Sequence, residues 1–328
     1  MALEKTNTSN RNGRAFEAIV FHELVELLKT NPINTEMPMK TYERQKMDSV
    51  FFNELKLDSL NPLNKDQSSD LKVYNAMVLA ATEIAGWIVN NSNLNFYTKF
   101  ILIKPEDHAG KLGDVSDIKI EAYNQTTLDI INFSLKHNST ALKHSRLSGV
   151  PEWLGIPTES DVYITYTEDL EKNWIKIQQD ILEYQSKHND IISSFSDLNK
   201  IAPNYKYNYS YEANYRIATS LFNAYKDERK MVEHLFKYLV GENYYKINLK
   251  SKLKKPKIEI LRFLDVPLPS SYTVSRNNKG YIILSFNNGW IISLRLHSAA
   301  TKLSKSLKFD AKLTNTRNVL PAPIILEL

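Results

Sequence analysis

Apolar residues recur every three to four positions over GRAFEAIVFHELVELLKT, which predicts a helix with Phe16, Ile19, Val20, Leu24, Leu27 and Leu28 on one face. Asn12 is placed to cap it, and Pro32 follows its end. Residues 33–69 lack a clear period. A second helix is predicted over 70–90, where Leu71, Tyr74, Met77, Val78, Ala81, Ile84 and Ile88 share a side. The pattern then shortens: YTKFILIKP, SDIKIEAY, LDIINFSLK and DVYITYT read as four strands, the middle two joined by a polar NQTT turn. NSTALKHSRLSG reads as a short helix, capped by Asn138 or Ser139 and stopped by Gly149. Long helices are predicted over 170–195 and 213–240, the second with Ile217, Leu221, Phe222, Tyr225, Val232, Leu235, Phe236 and Leu239 in one stripe up to Gly241. The tyrosines of NYKYNYSYEANY alternate, as a half-buried strand face or a base-stacking surface would. GYIILSFNNGWIISLRLH is a hairpin signal with an Asn-Gly turn, and SLKFDAKL reads as a further strand. This order of elements predicts an α/β core with appendages.

Composition narrows the classes. A chain of 328 residues, 42% hydrophobic, suits one large domain or two modest ones and excludes a disordered, collagenous or fibrous chain. It holds no cysteine, so disulfides, thiolate zinc sites and cysteine nucleophiles are excluded. The longest apolar stretch, NAMVLAATEIAGWIV, is too short to cross a bilayer and carries Glu83. MALEKTNTSNRNGR has no apolar signal core, so a cytoplasmic protein without a membrane partner is expected. Charge is uneven. Between Lys246 and Arg317 stand 15 basic residues and three acids (Glu259, Asp265, Asp310), a net +12, while the rest of the chain is net −7. Such asymmetry points to a polyanionic partner, although a solvated basic face has the same composition. No G-x-S-x-G, Walker or dinucleotide glycine pattern is present, and the seven histidines form no recognisable triad.

The densest ionisable cluster near strands is GDVSDIKIEAY…LDIINFSLKHN. Asp117 and Lys119 point one way on their strand, as do Asn132, Ser134 and Lys136 on the next. An acid beside a lysine suits phosphodiester cleavage. The carboxylate holds a hard divalent cation, and the ammonium orients water and offsets charge on the phosphate. His137 and His144, seven apart, could share a helix face, but no third ligand accompanies them.

SDIKI followed by FSLK resembles the PD-(D/E)XK nuclease core, in which an acid on one strand precedes an acid-x-lysine on the next. Three ordered blocks resemble the HaeIII family of type II restriction endonucleases: GRAFE, SLKHNSTALKHSRLS, and NGWIISLRLHSA…SLKFDAKL. The resemblance implies a PD-(D/E)XK restriction-endonuclease-like core with helical insertions and a basic β-rich C-terminal region. The corresponding divisions are a nuclease core at 1–169, a helical region at 170–245 and a DNA-binding region at 246–328. Asp117 becomes the metal-binding acid and Lys136 the catalytic lysine. Ser134 stands where the general motif has a carboxylate, so another acid must supply charge. Glu17 is the first candidate, with Asp114, Glu121 and Asp129 in reserve; a glutamate in a first helical turn is also favoured by the helix dipole alone.

The same resemblance implies Mg2+-dependent double-strand cleavage of DNA at GGCC, cut between G and C to leave blunt ends with 5′-phosphates. It also implies a prokaryotic cytoplasmic setting and a cognate DNA methyltransferase. A palindromic target suits a homodimer. His137, Asn138, Lys143, His144 and Arg146 follow the site, and the supposed helix N-terminus at Ser139 would offer amides to phosphate. Arg295, His297 and Lys308 join them as candidate DNA contacts, while the run Lys250 to Lys257 supplies phosphate attraction. Two other readings stand beside this one. A non-cleaving DNA-binding protein with a decayed site would need no metal, and a structure-specific resolvase or repair nuclease would not cut plain duplex into discrete fragments.

Overall fold

A computed structural model describes residues 8–30, 34–91, 97–105, 115–125, 127–188, 190–195, 197–201, 209–298 and 303–328. The chain opens with α1 (Thr8–Lys29), β1 (Asn34–Glu36), α2 (Met39–Leu60) and α3 (Gln67–Asn91). Strands β2 (Lys99–Ile103), β3 (Ile118–Tyr123), β4 (Leu128–His137) and β5 (Lys143–Arg146) follow. Then come α4 (Val150–Trp153), α5 (Asp161–His188), α6 (Leu198–Ile201), α7 (Tyr209–Ala224) and α8 (Arg229–Val240). The last part holds β6 (Tyr244–Lys250), β7 (Lys257–Phe263), β8 (Tyr272–Arg276), β9 (Ile282–Phe286), β10 (Ile291–Ser298), β11 (Leu307–Leu313), α9 (Thr316–Val319) and β12 (Ile324–Glu327).

These elements form two compact units, each assembled from separated segments. The first comprises 1–140, 241–266 and 320–328; the second comprises 141–240 and 267–319. The sequence divisions 1–169, 170–245 and 246–328 each cross from one unit into the other.

The first unit is a mixed seven-stranded sheet in the order β1-β2-β3-β4-β6-β7-β12. β2, β3 and β4 form an antiparallel meander, and β6 joins β4 in parallel. Alternation explains the inward side: Phe100 and Leu102 on β2, and Ile118, Ile120 and Ala122 on β3, are buried. The predicted face of α1 is buried through Phe16, Ile19, Val20, Leu24 and Leu28, and Met77, Ala81, Ile84 and Ile88 of α3 join the same core. Each large side chain there contributes on the order of 1.5–3 kcal/mol relative to exposure. Asn12 lies buried inside α1 rather than capping it, because the helix starts earlier, at Thr8.

α2 occupies the stretch without a visible period, and the reason is chemical. Its buried positions are Thr41, Asp48, Leu55 and Ser59, a helical stripe with a single large apolar member. Asp48 is held by Lys104 Nζ at 2.6 Å and Arg14 Nη1 at 2.9 Å, so ion pairing replaces apolar burial. Removing one partner of such a buried pair costs about 3–5 kcal/mol.

The second unit is an antiparallel sheet in the order β5-β11-β10-β9-β8. Its apolar face carries Leu294, Leu296, Phe309 and Ala311, all buried. Trp153 stacks on Tyr238 at 5.4 Å and meets Phe309 edge-on at 5.8 Å. The hairpin turns at Asn288-Gly289, with Gly289 at φ 88, as the sequence predicts.

Four local predictions are corrected. DVYITYT is the start of α5, not a strand. Ser160 Oγ accepts from Tyr163 N at 3.2 Å, which caps the helix, while Val162 and Ile164 are exposed. The tyrosine run continues as α7 from Tyr209, so Tyr211 and Tyr215 are helical neighbours; residues 202–208 lie outside the described residues. The single helix over 213–240 is two, α7 and α8, split at 225–228. Finally, NSTALKHSRLSG forms β5 and a short 3-10 turn, Leu147–Gly149, because 143–146 pairs with β11; no helix N-terminus opens at Ser139. His137 and His144 accordingly sit on two different strands.

Candidate active site and basic sheet face

In the first unit, Asp117 sits just before β3, where its N–H bonds Phe133 O of β4 at 2.8 Å. That pairing sets its carboxylate beside residues 134–136. Three donors reach one oxygen, Oδ2: Leu135 N at 2.6 Å, Lys136 Nζ at 3.1 Å and Ser134 Oγ at 3.2 Å. Oδ1 takes none of these three. Ser134 is buried, so its hydroxyl orients the acid without adding charge.

Glu17 comes to the same place from α1. Burial first, and then the charge of Asp117, push its carboxyl up to about 8, while Lys136 and Lys104 pull it down. Burial opposes the charge on Lys136, but the Asp117 and Glu17 carboxylates outweigh it and raise the ammonium above its usual range. Lys136 is therefore a cation at neutral pH.

The flanking residues are fixed in turn. The Phe16 ring lies 6.4 Å from that of His137. His137 Nε2 is 2.8 Å from Ser251 Oγ and 2.9 Å from Asn138 Nδ2. Burial and then the Lys252 charge push this imidazole down to about 4, so it is neutral. Asn138 turns the chain at φ 52, a left-handed conformation that asparagine tolerates better than most residues, and its Oδ1 accepts from Lys252 N at 3.3 Å. Of the reserve acids, Asp129 bonds Tyr97 and Glu121 bonds Tyr123 Oη at 2.8 Å, while Asp114 lies outside the described residues.

In the second unit the register of β5, β11 and β10 sorts the other named residues. Asp310 stands opposite both His144 and Arg295, and Lys308 opposite both Arg146 and His297. Five of the six candidate contacts on these strands therefore share one sheet face. Lys143 points to the other, its Nζ 3.7 Å from the centre of the Tyr238 ring and 3.2 Å from Tyr238 O. Arg295 Nη2 bonds Asp310 Oδ2 at 2.5 Å. Burial would raise Asp310, but the imidazoles of His144 and His297 hold its carboxyl well below the usual range. His297 is raised in return by the Asp310 carboxylate, against burial. A cleft of about 460 Å³ adjoins this face, lined by Tyr211, Tyr215, Tyr281, Lys279, Arg295 and His297 among others.

Sequence reasoning passed over Asp310, which sits at the centre of this basic face, and the Asp48–Lys104 pair whose charges act on Glu17. The lone acid in KFDAKL was a visible signal for the first. The second depends on tertiary pairing and left no local trace.

Among the described residues no helix is long and apolar enough to cross a membrane. A family model described as HaeIII restriction endonuclease matches residues 13–316. The type II restriction enzyme HaeIII of Haemophilus aegyptius is 28% identical over 347 aligned positions, covering 98% of this chain and 97% of that enzyme.

Proposed function

The chain belongs to the HaeIII restriction endonuclease family, whose members are type II site-specific deoxyribonucleases, and from that premise we propose how its own residues cut DNA. The reading is a PD-(D/E)XK-like site in which Asp117 and Glu17 hold Mg2+ and Lys136 positions the attacking water. The observation that carries it is the convergence of Ser134, Leu135 and Lys136 on Asp117 Oδ2, with a second acid brought close enough to feel that charge.

The donor set suits a hard divalent cation: two carboxylates, no thiolate, and a mutual repulsion that a cation relieves. When bound, Mg2+ would polarise the scissile phosphate and lower the pKa of a water. Asp117 is pre-oriented for this, because its three donors fix Oδ2 and leave Oδ1 outside that group. Glu17 replaces the charge that Ser134 lacks. Lys136 is charged and so acts as a donor to water and to phosphate oxygens, not as a base. His137 is neutral and packed, which suits it to fixing the end of β4 beside the substrate.

The basic face of Arg146, Lys308, Arg295, His144 and His297 supplies DNA contacts, with Arg295 the best suited to guanine because its guanidinium forks. Family membership supports GGCC as the target, cut between G and C to blunt ends with 5′-phosphates. It also supports a cognate methyltransferase. A palindrome needs two strand cuts, which supports a homodimer. Ser134 keeps one rival in play, a DNA binder without cleavage.

Digestion of unmethylated phage DNA with Mg2+, with EDTA and Lys136→Ala controls and sequenced ends, tests the reading. Discrete blunt fragments ending at GGCC, lost in both controls, are expected. Discrete cutting elsewhere would sink the specificity, and duplex binding without cutting would sink the mechanism.

A further inference from the structure

The basic sheet face has a feature that DNA contact does not explain. The register of β5, β11 and β10 places His144 beside Asp310 and His297 two residues beyond Arg295 on the same face. His144 Nδ1 is 2.5 Å and His297 Nε2 is 2.9 Å from one oxygen, Asp310 Oδ1. The three donor atoms lie within 4.8 Å of one another. Asp310 Oδ1 and His297 Nε2 are buried, and neither has a hydrogen bond of good geometry along these short contacts. The other carboxylate oxygen is already taken by Arg295.

Buried polar atoms are paired in nearly all proteins, and leaving one unsatisfied is costly. A cation between the two imidazole nitrogens and the carboxylate oxygen would satisfy all three atoms, in place of the ion pairs that protonated imidazoles make with Asp310. The donor chemistry selects its class. Imidazoles with one carboxylate suit Zn2+ and similar transition metals, whereas Mg2+ prefers an all-oxygen octahedron. Bonds of about 2.0–2.1 Å would move the two rings outward by less than about an ångström, and half-exposed His144 has room for that.

We propose that His144, His297 and Asp310 form a second metal site, of the Zn2+ class, that clips β5, β10 and β11 together. It shares no residue with the Asp117 site. Three protein ligands leave a fourth position open, and the flanking Arg146, Lys308 and Arg295 suit that position to an anionic oxygen, such as a phosphate.

Full-length protein stripped with chelator and titrated with Co2+ provides the test. One tightly bound Co2+ per chain, with a visible ligand-field band bleached by Zn2+, is expected. The band persists in Asp117→Asn and is lost, with affinity weakened more than about tenfold, in His144→Ala and His297→Ala. Because a variant can fail to fold, Tm is also read in the wild type, where Zn2+ raises it and Mg2+ does not. Absence of both band and Tm shift in the wild type overturns the proposal. So does a band unchanged in well-folded His144→Ala, or one abolished by Asp117→Asn, which would place the ion at the other site.

Discussion

Asp117 and Asp310 are both carboxylates at the centre of a charged cluster, but they are satisfied differently. Asp117 receives an amide, a hydroxyl and an ammonium on one oxygen, and faces a second acid driven toward its protonated form. Asp310 receives a guanidinium on one oxygen and holds two imidazole nitrogens close to the other, without a hydrogen bond of good geometry. A site built from oxygen donors with surplus negative charge suits Mg2+ chemistry on phosphate. A site built from nitrogen donors and one anchored oxygen suits tighter coordination by a softer ion. The lesson is that residue type alone does not define a metal site; what counts is which lone pairs remain unspent after folding.

The contrast can be broken most sharply at Lys136. Lys136→Ala should lower the cleavage rate on the order of 10²–10³-fold with duplex binding retained, read by single-turnover kinetics beside a binding assay. Loss of binding in parallel would instead make Lys136 a structural partner of Asp117. Next comes Glu17. Its raised carboxyl must lose a proton to bind Mg2+, so Mg2+ affinity should climb with pH, by up to about tenfold per unit, and level off above about 8. Glu17→Gln should flatten that climb in a calorimetric titration. The sign for the metal-free protein is opposite: the folded value exceeds the ordinary one, so Glu17 stabilises below about 4.5 and that contribution is lost as pH rises to about 8.

On the second face, Arg295→Ala should weaken duplex binding by about 1–3 kcal/mol and relax discrimination at one base pair, measured against single-substitution duplexes. An even loss across all sequences would assign it to phosphate. The smallest effect belongs to His137. Held neutral in the fold near 4 against an ordinary value of 6.5, it stabilises above 6.5, and that contribution fades as pH falls toward 4. His137→Gln should shallow the acid limb of a Tm-against-pH curve without shifting its neutral plateau.

Much of this architecture is legible in the sequence. Ser134 and Lys136 share a side of β4 by period-two alternation, and Asp117 precedes β3, the neighbouring strand, where its N–H bonds Phe133 O. Glu17 could be guessed from its block, but its coupling to Asp117 exists only because α1 packs on β4. α2 was invisible because its buried stripe is polar, and hydrophobic period is the signal that sequence reading relies on. β5 was misread as a helix because its partner, β11, lies more than 150 residues away. The start of α5 was misread because Val162, Ile164 and Tyr166 alternate by chance at a helix end.

The interleaving of the two units bears on how the chain closes during folding. The site strand β4 pairs with β6 only after the stretch Ala141–Val240, about 100 residues, has been looped out. That stretch brings its own ends together: Lys143 near its start donates to Tyr238 O near its finish, and Trp153 stacks on the Tyr238 ring. Once this contact forms, the loop separating β4 from β6 behaves as a handful of residues, which removes about 2–3 kcal/mol of closure entropy. The segment that carries part of the basic face thereby doubles as the clasp that lets β4 find β6.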